Sequence, residues 1–136
     1  MNLDAPISSI MTEKVECVSP EQKILDVKHI YEKRDFHHHI PVVENGYLVG
    51  MVSLIDFMRN IQNATLDDNE KVYHDRKVKD IMYPHPTSIP SNTSIRVVAQ
   101  ELASGSVHAL VVADDKVVKG IISTADIIGY FLGQNQ

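Results

Sequence analysis

The chain repeats itself, and the repeat limits the fold more than any other feature. Ser9-Ile10-Met11 is matched by Asp80-Ile81-Met82, and Ile24, Val27 and Tyr31 by Ile95, Val98 and Leu102. Gly50-Met51-Val52-Ser53-Leu54-Ile55-Asp56 is matched by Gly120-Ile121-Ile122-Ser123-Thr124-Ala125-Asp126. Three anchors in the same order, with one residue of slip between the first helix and the next strand, define a tandem duplication. Each copy is about 55 to 60 residues, a size that buries only ~60% of its unfolded surface and is marginal alone. The two copies are therefore expected to pack sheet-to-sheet with pseudo-two-fold symmetry. A groove between duplicated halves is where a ligand site is expected.

Each copy reads as β-α-β-β-α. In the first, a short strand runs around Cys17. Ser19-Pro20-Glu21-Gln22 carries helix-start signals: Ser19 as cap, Pro20 at the first helical position and Gln22 reaching back. Ile24, Val27, Ile30 and Tyr31 follow at helical spacing, and the helix is expected to end near Arg34. Ile40 to Val43 is a short buried strand, Glu44-Asn45-Gly46-Tyr47 a hairpin turn, and Leu48 to Val52 a return strand covered on both faces. A second helix runs from Ser53 to about Asn63. The second copy predicts a strand at Thr87 to Ile89 and a helix from about Asn92 to Ala103, with Gly105 at its C-terminal cap. Strands His108 to Ala113 and Val117 to Ile122 follow, then a helix from Thr124 to about Leu132. The expected domains are residues 1–63 and 78–136, with a polar linker over 64–77 that has room for a helical turn.

Composition narrows the function. Lys and Arg total 13 against 18 Asp and Glu, a formal net charge of -5. Duplex nucleic acid needs clustered positive charge, so it is not expected as a partner. The single Cys17 forms no intrachain disulfide and fits a reducing compartment. Met1 to Pro6 lacks the basic start and apolar core of a signal peptide, and no run approaches the ~20 apolar residues of a membrane span. The expectation is a soluble, cytoplasmic protein without a membrane partner. No P-loop, Cys-x-x-Cys, nucleophile elbow or Gly-rich dinucleotide fingerprint appears, so the chain is not expected to be an enzyme.

The Gly-hydrophobe-x-Ser-x-x-Asp segments, the Ile-Met lead-ins, His39-Ile40-Pro41-Val42-Val43 and Val107-His108-Ala109-Leu110-Val111-Val112 together resemble the CBS domain. The tandem resembles a CBS pair, or Bateman module, from about Pro6 to Leu132. The second copy is also similar, through Val117-Val118-Lys119-Gly120-Ile121-Ile122-Ser123, to repeats of the gamma subunit of AMP-activated protein kinase. The resemblance implies a stand-alone regulatory module that binds AMP, ADP, ATP or S-adenosylmethionine in clefts between the repeats. It implies that Asp56 and Asp126 contact ribose, and that Ser53, Ser123 and Thr124 lie near the phosphates. It places His38 and His108 beside phosphate, counts His39 among the nucleotide-binding residues, and sets Cys17, Thr87 and Ser88 along the base. It leaves open which histidine serves which aspartate. It further implies a homodimer whose output passes to a separate effector protein, with the adenosyl ligand as regulator and no cofactor required.

The chemistry is sound in itself. A carboxylate can accept two hydrogen bonds from a vicinal diol, and a helix N-terminus offers free N–H groups and partial positive charge to phosphate. A histidine adds charge only when protonated, so a His–phosphate contact weakens above roughly pH 6.5. Plainer explanations stand beside each residue. Ser53-x-x-Asp56 and Ser123-x-x-Asp126 are also ordinary capping pairs, and a carboxylate turned back to its cap is less free for ribose. His37-His38-His39 invites a metal sensor, yet two same-face ligands do not complete a zinc site, and no metal is expected. Cys17 reads as a small buried residue, Arg59 as solvated or ion-paired, and Met11 and Met82 as packing residues below the first strand. A scaffold module with empty clefts is the competing function.

Overall fold

The computed structural model describes residues 1–33, 38–61 and 71–133. The ends assigned from sequence to the first copy's two helices, the extra residue near Phe36 and most of the linker fall outside that set. Two compact units divide the chain. The first unit is Glu16–Pro86, and the second joins Met1–Val15 to Thr87–Gln136. The lead-in of each sequence copy thus belongs to the unit built around the other copy.

In the first unit, α1 is Ile24–Tyr31, later than the helix-start signals imply. Gln22 does reach back, its Oε1 accepting from the Ser19 N–H at 2.7 Å, but this closes a separate turn. The backbone there is used by a distant segment. Ile24 N–H donates to the Arg76 carbonyl, Val78 N–H to Gln22 and Lys79 N–H to Pro20. Non-local pairing satisfies these groups and leaves Lys23, without a side-chain cap, to open the helix. Hydrogen bonds from the Lys77 and Lys79 ammonium groups clasp the exposed Glu21 carboxylate and lower its pKa to about 2.

Strands β1 (His39–Glu44) and β2 (Tyr47–Ser53) form the expected antiparallel hairpin. Asn45 at φ 53° and Gly46 at φ 86° give the two left-handed residues of a type I′ turn. The return strand is less covered than its apolar sequence suggests: Gly50 and Val52 are buried, while Leu48, Val49 and Met51 are half-buried. Helix α2 (Leu54–Asn60) follows. Val18 bridges Val42 in parallel, in place of a full first strand. The segment read as linker contributes α3 (Lys71–Asp75), followed by α4 (Val78–Ile81) and a short strand β3 (Tyr83–Pro84) against β2. Tyr73 of α3 is fully buried with Ile24, Val27, Ile40 and Phe57.

The second unit repeats the plan. Strand β4 (Ser88–Ile89) lies parallel to β5 (Ala109–Asp114), which pairs antiparallel with β6 (Val117–Ser123). Helix α5 is Ile95–Ala103, capped by the Ser94 hydroxyl, which accepts from Val97 N–H at 3.2 Å. Gly105, at φ 79°, ends it as expected. Helix α6 is Thr124–Phe131. The β5–β6 turn carries Asp115 and Lys116 at φ 50° and 67°, the same turn geometry without a glycine. Ile7, Ile95, Val98, Leu110, Val112, Ile122 and Ile127 form the core.

The two methionines pack on the motif glycines, each in its own unit. Met82 sits against Gly50, and Met11 against Gly120. A Cβ on Gly50 would meet first the mobile sulfur of Met82, whereas a Cβ on Gly120 would also meet the Thr12 backbone oxygen at 2.7 Å. That oxygen is fixed by the Thr12–Ile121 backbone pair. Gly120→Ala is therefore expected to cost about 1–3 kcal/mol and Gly50→Ala less, as read by thermal melting of the two variants. Equal effects would contradict this assignment.

Candidate functional site

The two Ser-x-x-Asp segments form matching strand–helix junctions. In the first unit, Leu54 N–H, the opening donor of α2, donates to the His38 carbonyl at 2.8 Å. In the second, Thr124 N–H donates to the His108 carbonyl at 3.0 Å. His38 and His108 are therefore structural counterparts despite the residue inserted nearby. His38 is exposed and precedes β1 instead of lying in it, while His39 pairs with Ser53 across the hairpin. His108 likewise precedes β5, and Ala109 pairs with Ser123. His37 lies outside the described residues. Among the described residues, no group of three or more His, Cys, Asp or Glu could hold a metal ion.

Both serines cap. Ser53 Oγ accepts from Asp56 N–H at 3.0 Å, and Ser123 Oγ from Asp126 N–H at 3.2 Å. The aspartates part company there. Asp126 turns its carboxylate back to accept from Ser123 N–H at 2.9 Å, completing a capping box. Asp56 is half-buried, and its carboxylate accepts no hydrogen bond within the described residues. The capping explanation thus accounts for both serines and for Asp126, but not for the Asp56 carboxylate.

Tyr31, buried in the core as the helical pattern implies, also reaches this junction. Its hydroxyl donates to the His38 carbonyl at 3.1 Å, so it steadies the same backbone oxygen that receives α2. Burial, with the nearby Asp56 charge, raises the Tyr31 pKa and keeps the phenol a donor. The one available signal was the contrast with Leu102 at the matched position.

Cys17 and Ser88 hold equivalent places, each just before the residue that runs parallel to the first hairpin strand or within that pairing. Contrary to its reading as a buried residue, Cys17 is exposed, because the bridge at Val18 buries the alternate side chain. Partial desolvation still pushes its thiol pKa up. Thr87 and Ser88 are exposed, and Thr124 is half-buried with its hydroxyl 3.4 Å from the His108 carbonyl. The structure thus gathers His38, His39, Ser53 and Asp56 at one junction, and His108, Ser123, Thr124 and Asp126 at the other. Arg59 is exposed on α2.

The repeat, the paired hairpins and these junctions define a duplicated α/β architecture. The CBS domain sequence profile matches residues 7–63 and 78–133, and the chain belongs to the CBS domain family. It is 33% identical over 127 residues to the uncharacterized protein MJ0188 of Methanocaldococcus jannaschii, covering 93% of this chain and 44% of that protein. The chain spans less than half the length of the curated relatives it matches. Among solved structures it shares the fold of CBSX2 in complex with AMP, with a TM-score of 0.79 and 22% identity over 97% of this chain and 99% of that one. It also shares the fold of the CBS domain pair of MJ0100 from a complex with 5′-methylthioadenosine and S-adenosyl-L-methionine. There the TM-score is 0.75 and the identity 20%, over 95% of this chain and 97% of that one. No helix among the described residues is long and apolar enough to cross a membrane.

Proposed function

We propose that the chain is a regulatory module, not an enzyme, that binds an adenosine-containing ligand such as AMP, ADP, ATP or S-adenosylmethionine at its strand–helix junctions. The observation that carries this reading is the Asp56 carboxylate: half-buried, beside a capped helix start, and without a hydrogen-bond partner among the described residues. A ribose diol supplies two donors to such a group. Ser53, Ser123 and Thr124 stand at helix starts, whose partial positive charge favours phosphate oxygens, and His38, His39 and His108 flank the same ends. Cys17, Thr87 and Ser88 border the base. The adenosyl ligands bound by the two fold relatives support this choice of class. The module works as a cytoplasmic homodimer that passes its state to a separate effector protein.

Thermal melting tests the reading. A ligand present at 100 times its Kd stabilises by about 2.7 kcal/mol, which raises the Tm on the order of 5 °C. At least one of AMP, ATP and S-adenosylmethionine is expected to produce that rise. No shift with any of them leaves the scaffold function standing in its place.

A further inference from the structure

The duplication lets each junction serve as a control for the other. In the first, the Asp56 backbone is pinned on both sides: its N–H donates to Ser53 Oγ at 3.0 Å, and its carbonyl accepts from Asn60 Nδ2 at 2.7 Å. The carboxylate itself accepts no hydrogen bond among the described residues. The Tyr31 hydroxyl donates to the His38 carbonyl at 3.1 Å and stands 3.5 Å from the Val52 carbonyl, so α1 is tied to both strand ends that meet there. Burial, and after it the Asp56 charge, keeps that phenol protonated. In the second junction the Asp126 carboxylate is engaged by Ser123 N–H at 2.9 Å. Buried Leu102 stands in the place of Tyr31 and has no hydroxyl. The described donors to the His108 carbonyl, an N–H at 3.0 Å and a hydroxyl at 3.4 Å, both belong to Thr124.

We infer that the first junction is the tighter of the two sites, with Tyr31 as the positioning residue that keeps it ready, and that the second binds the same ligand more weakly because Asp126 must leave its cap. The inference rests on the adenosyl-ligand reading above and deepens it by ranking the sites. A ribose diol meets Asp56 with both carboxylate oxygens available. At Asp126 the diol must displace an existing hydrogen bond and leave Ser123 N–H without it. Loss of a helix cap of this kind corresponds to about fivefold in affinity. Tyr31 acts through the His38 carbonyl, which also receives the opening N–H of α2. Fixing that one oxygen fixes both the start of α2 and the backbone that carries the His38 side chain. Neither then has to be ordered when the ligand arrives. One such hydrogen bond is worth about threefold to tenfold, so the two effects together separate the sites by about tenfold or more.

Isothermal titration of the full chain with AMP, ATP and S-adenosylmethionine, one at a time, tests this. Two classes of site are expected, about tenfold or more apart, the tight one lost in Asp56→Ala and the weak one in Asp126→Ala. One site per chain, lost in Asp56→Ala and kept in Asp126→Ala, supports the same ranking. Tyr31→Phe keeps the ring against Phe57 and removes only the hydroxyl. It is expected to weaken the tight class about threefold to tenfold and to leave the weak class unmoved. A lowered Tm with both affinities unchanged overturns the role given to Tyr31. A tight class that survives Asp56→Ala and is lost in Asp126→Ala, or a single class of two equal sites, overturns the ranking and spares the adenosyl reading. Binding of none of the three ligands overturns that reading, and the ranking with it. The aspartate comparison needs no Tyr31 variant, so it decides the ranking whether or not Tyr31→Phe folds.

Discussion

Phe57→Ala is expected to destabilise the protein by about 3–5 kcal/mol, the range for emptying a buried aromatic site. Phe57 is completely buried, with the Tyr31 ring edge-on at 5.3 Å and Tyr73 stacked at 6.2 Å. Its loss leaves a cavity beside both rings and, through Tyr73, loosens the hold of α3 on the rest of the unit. Collapse cannot fill the space, because Tyr31 is tied through its hydroxyl to the His38 carbonyl. Calorimetric unfolding should show a Tm lowered on the order of 10 °C or more, and Phe57→Leu a much smaller loss. A cost under about 1 kcal/mol would mean that the aromatic cluster is not what holds the first unit together.

Asp56→Ala is expected to remove ligand binding at the first junction while leaving stability within about 0.5 kcal/mol of wild type. The carboxylate accepts no hydrogen bond in the described structure, so little folding energy is lost with it. Its two charge-assisted bonds to a diol are each worth about 1.5–3 kcal/mol, so affinity there should fall roughly 100-fold or more. Asp126→Ala should behave differently. It removes binding at the second junction but also breaks a capping box, at a cost of about 1 kcal/mol. The same substitution in two copies of one motif thus separates ligand binding from helix capping. Chemical denaturation beside a binding titration reads both quantities.

Much of the fold was legible because local signals and tertiary pairing agree. Asn45-Gly46 set the first hairpin, Gly105 stopped α5, and the Gly-x-x-Ser-x-x-Asp segments marked where β2 and β6 turn into helices. The misses lie where long-range contacts override local ones. The Ser19-Pro20 signals predict an early helix, yet the backbone from Pro20 to Ile24 is taken by Arg76 to Lys79, more than fifty residues away. Tyr73 looked like part of a polar linker, because a lone aromatic among charges carries no periodicity. The exchange of lead-ins was also hidden: Met11 and Met82 match in sequence, but each rests on the glycine of the other copy. At the site, the repeated motif marked both serines and both aspartates of the junctions, but not Tyr31. It did not show that Asp126 turns back to its cap while Asp56 does not, because that depends on side-chain rotamers in otherwise identical motifs.

Isothermal titration with AMP, ATP, S-adenosylmethionine and NAD on the wild type, Asp56→Ala and Asp126→Ala proteins tests the central claim most directly. At least one adenosyl ligand is expected to bind the wild type, with each substitution deleting one site and Asp56→Ala doing so in a protein of unchanged Tm. Binding of none of the four, or equal affinity in all three proteins, would contradict the account and return both aspartates to the architecture of their helices.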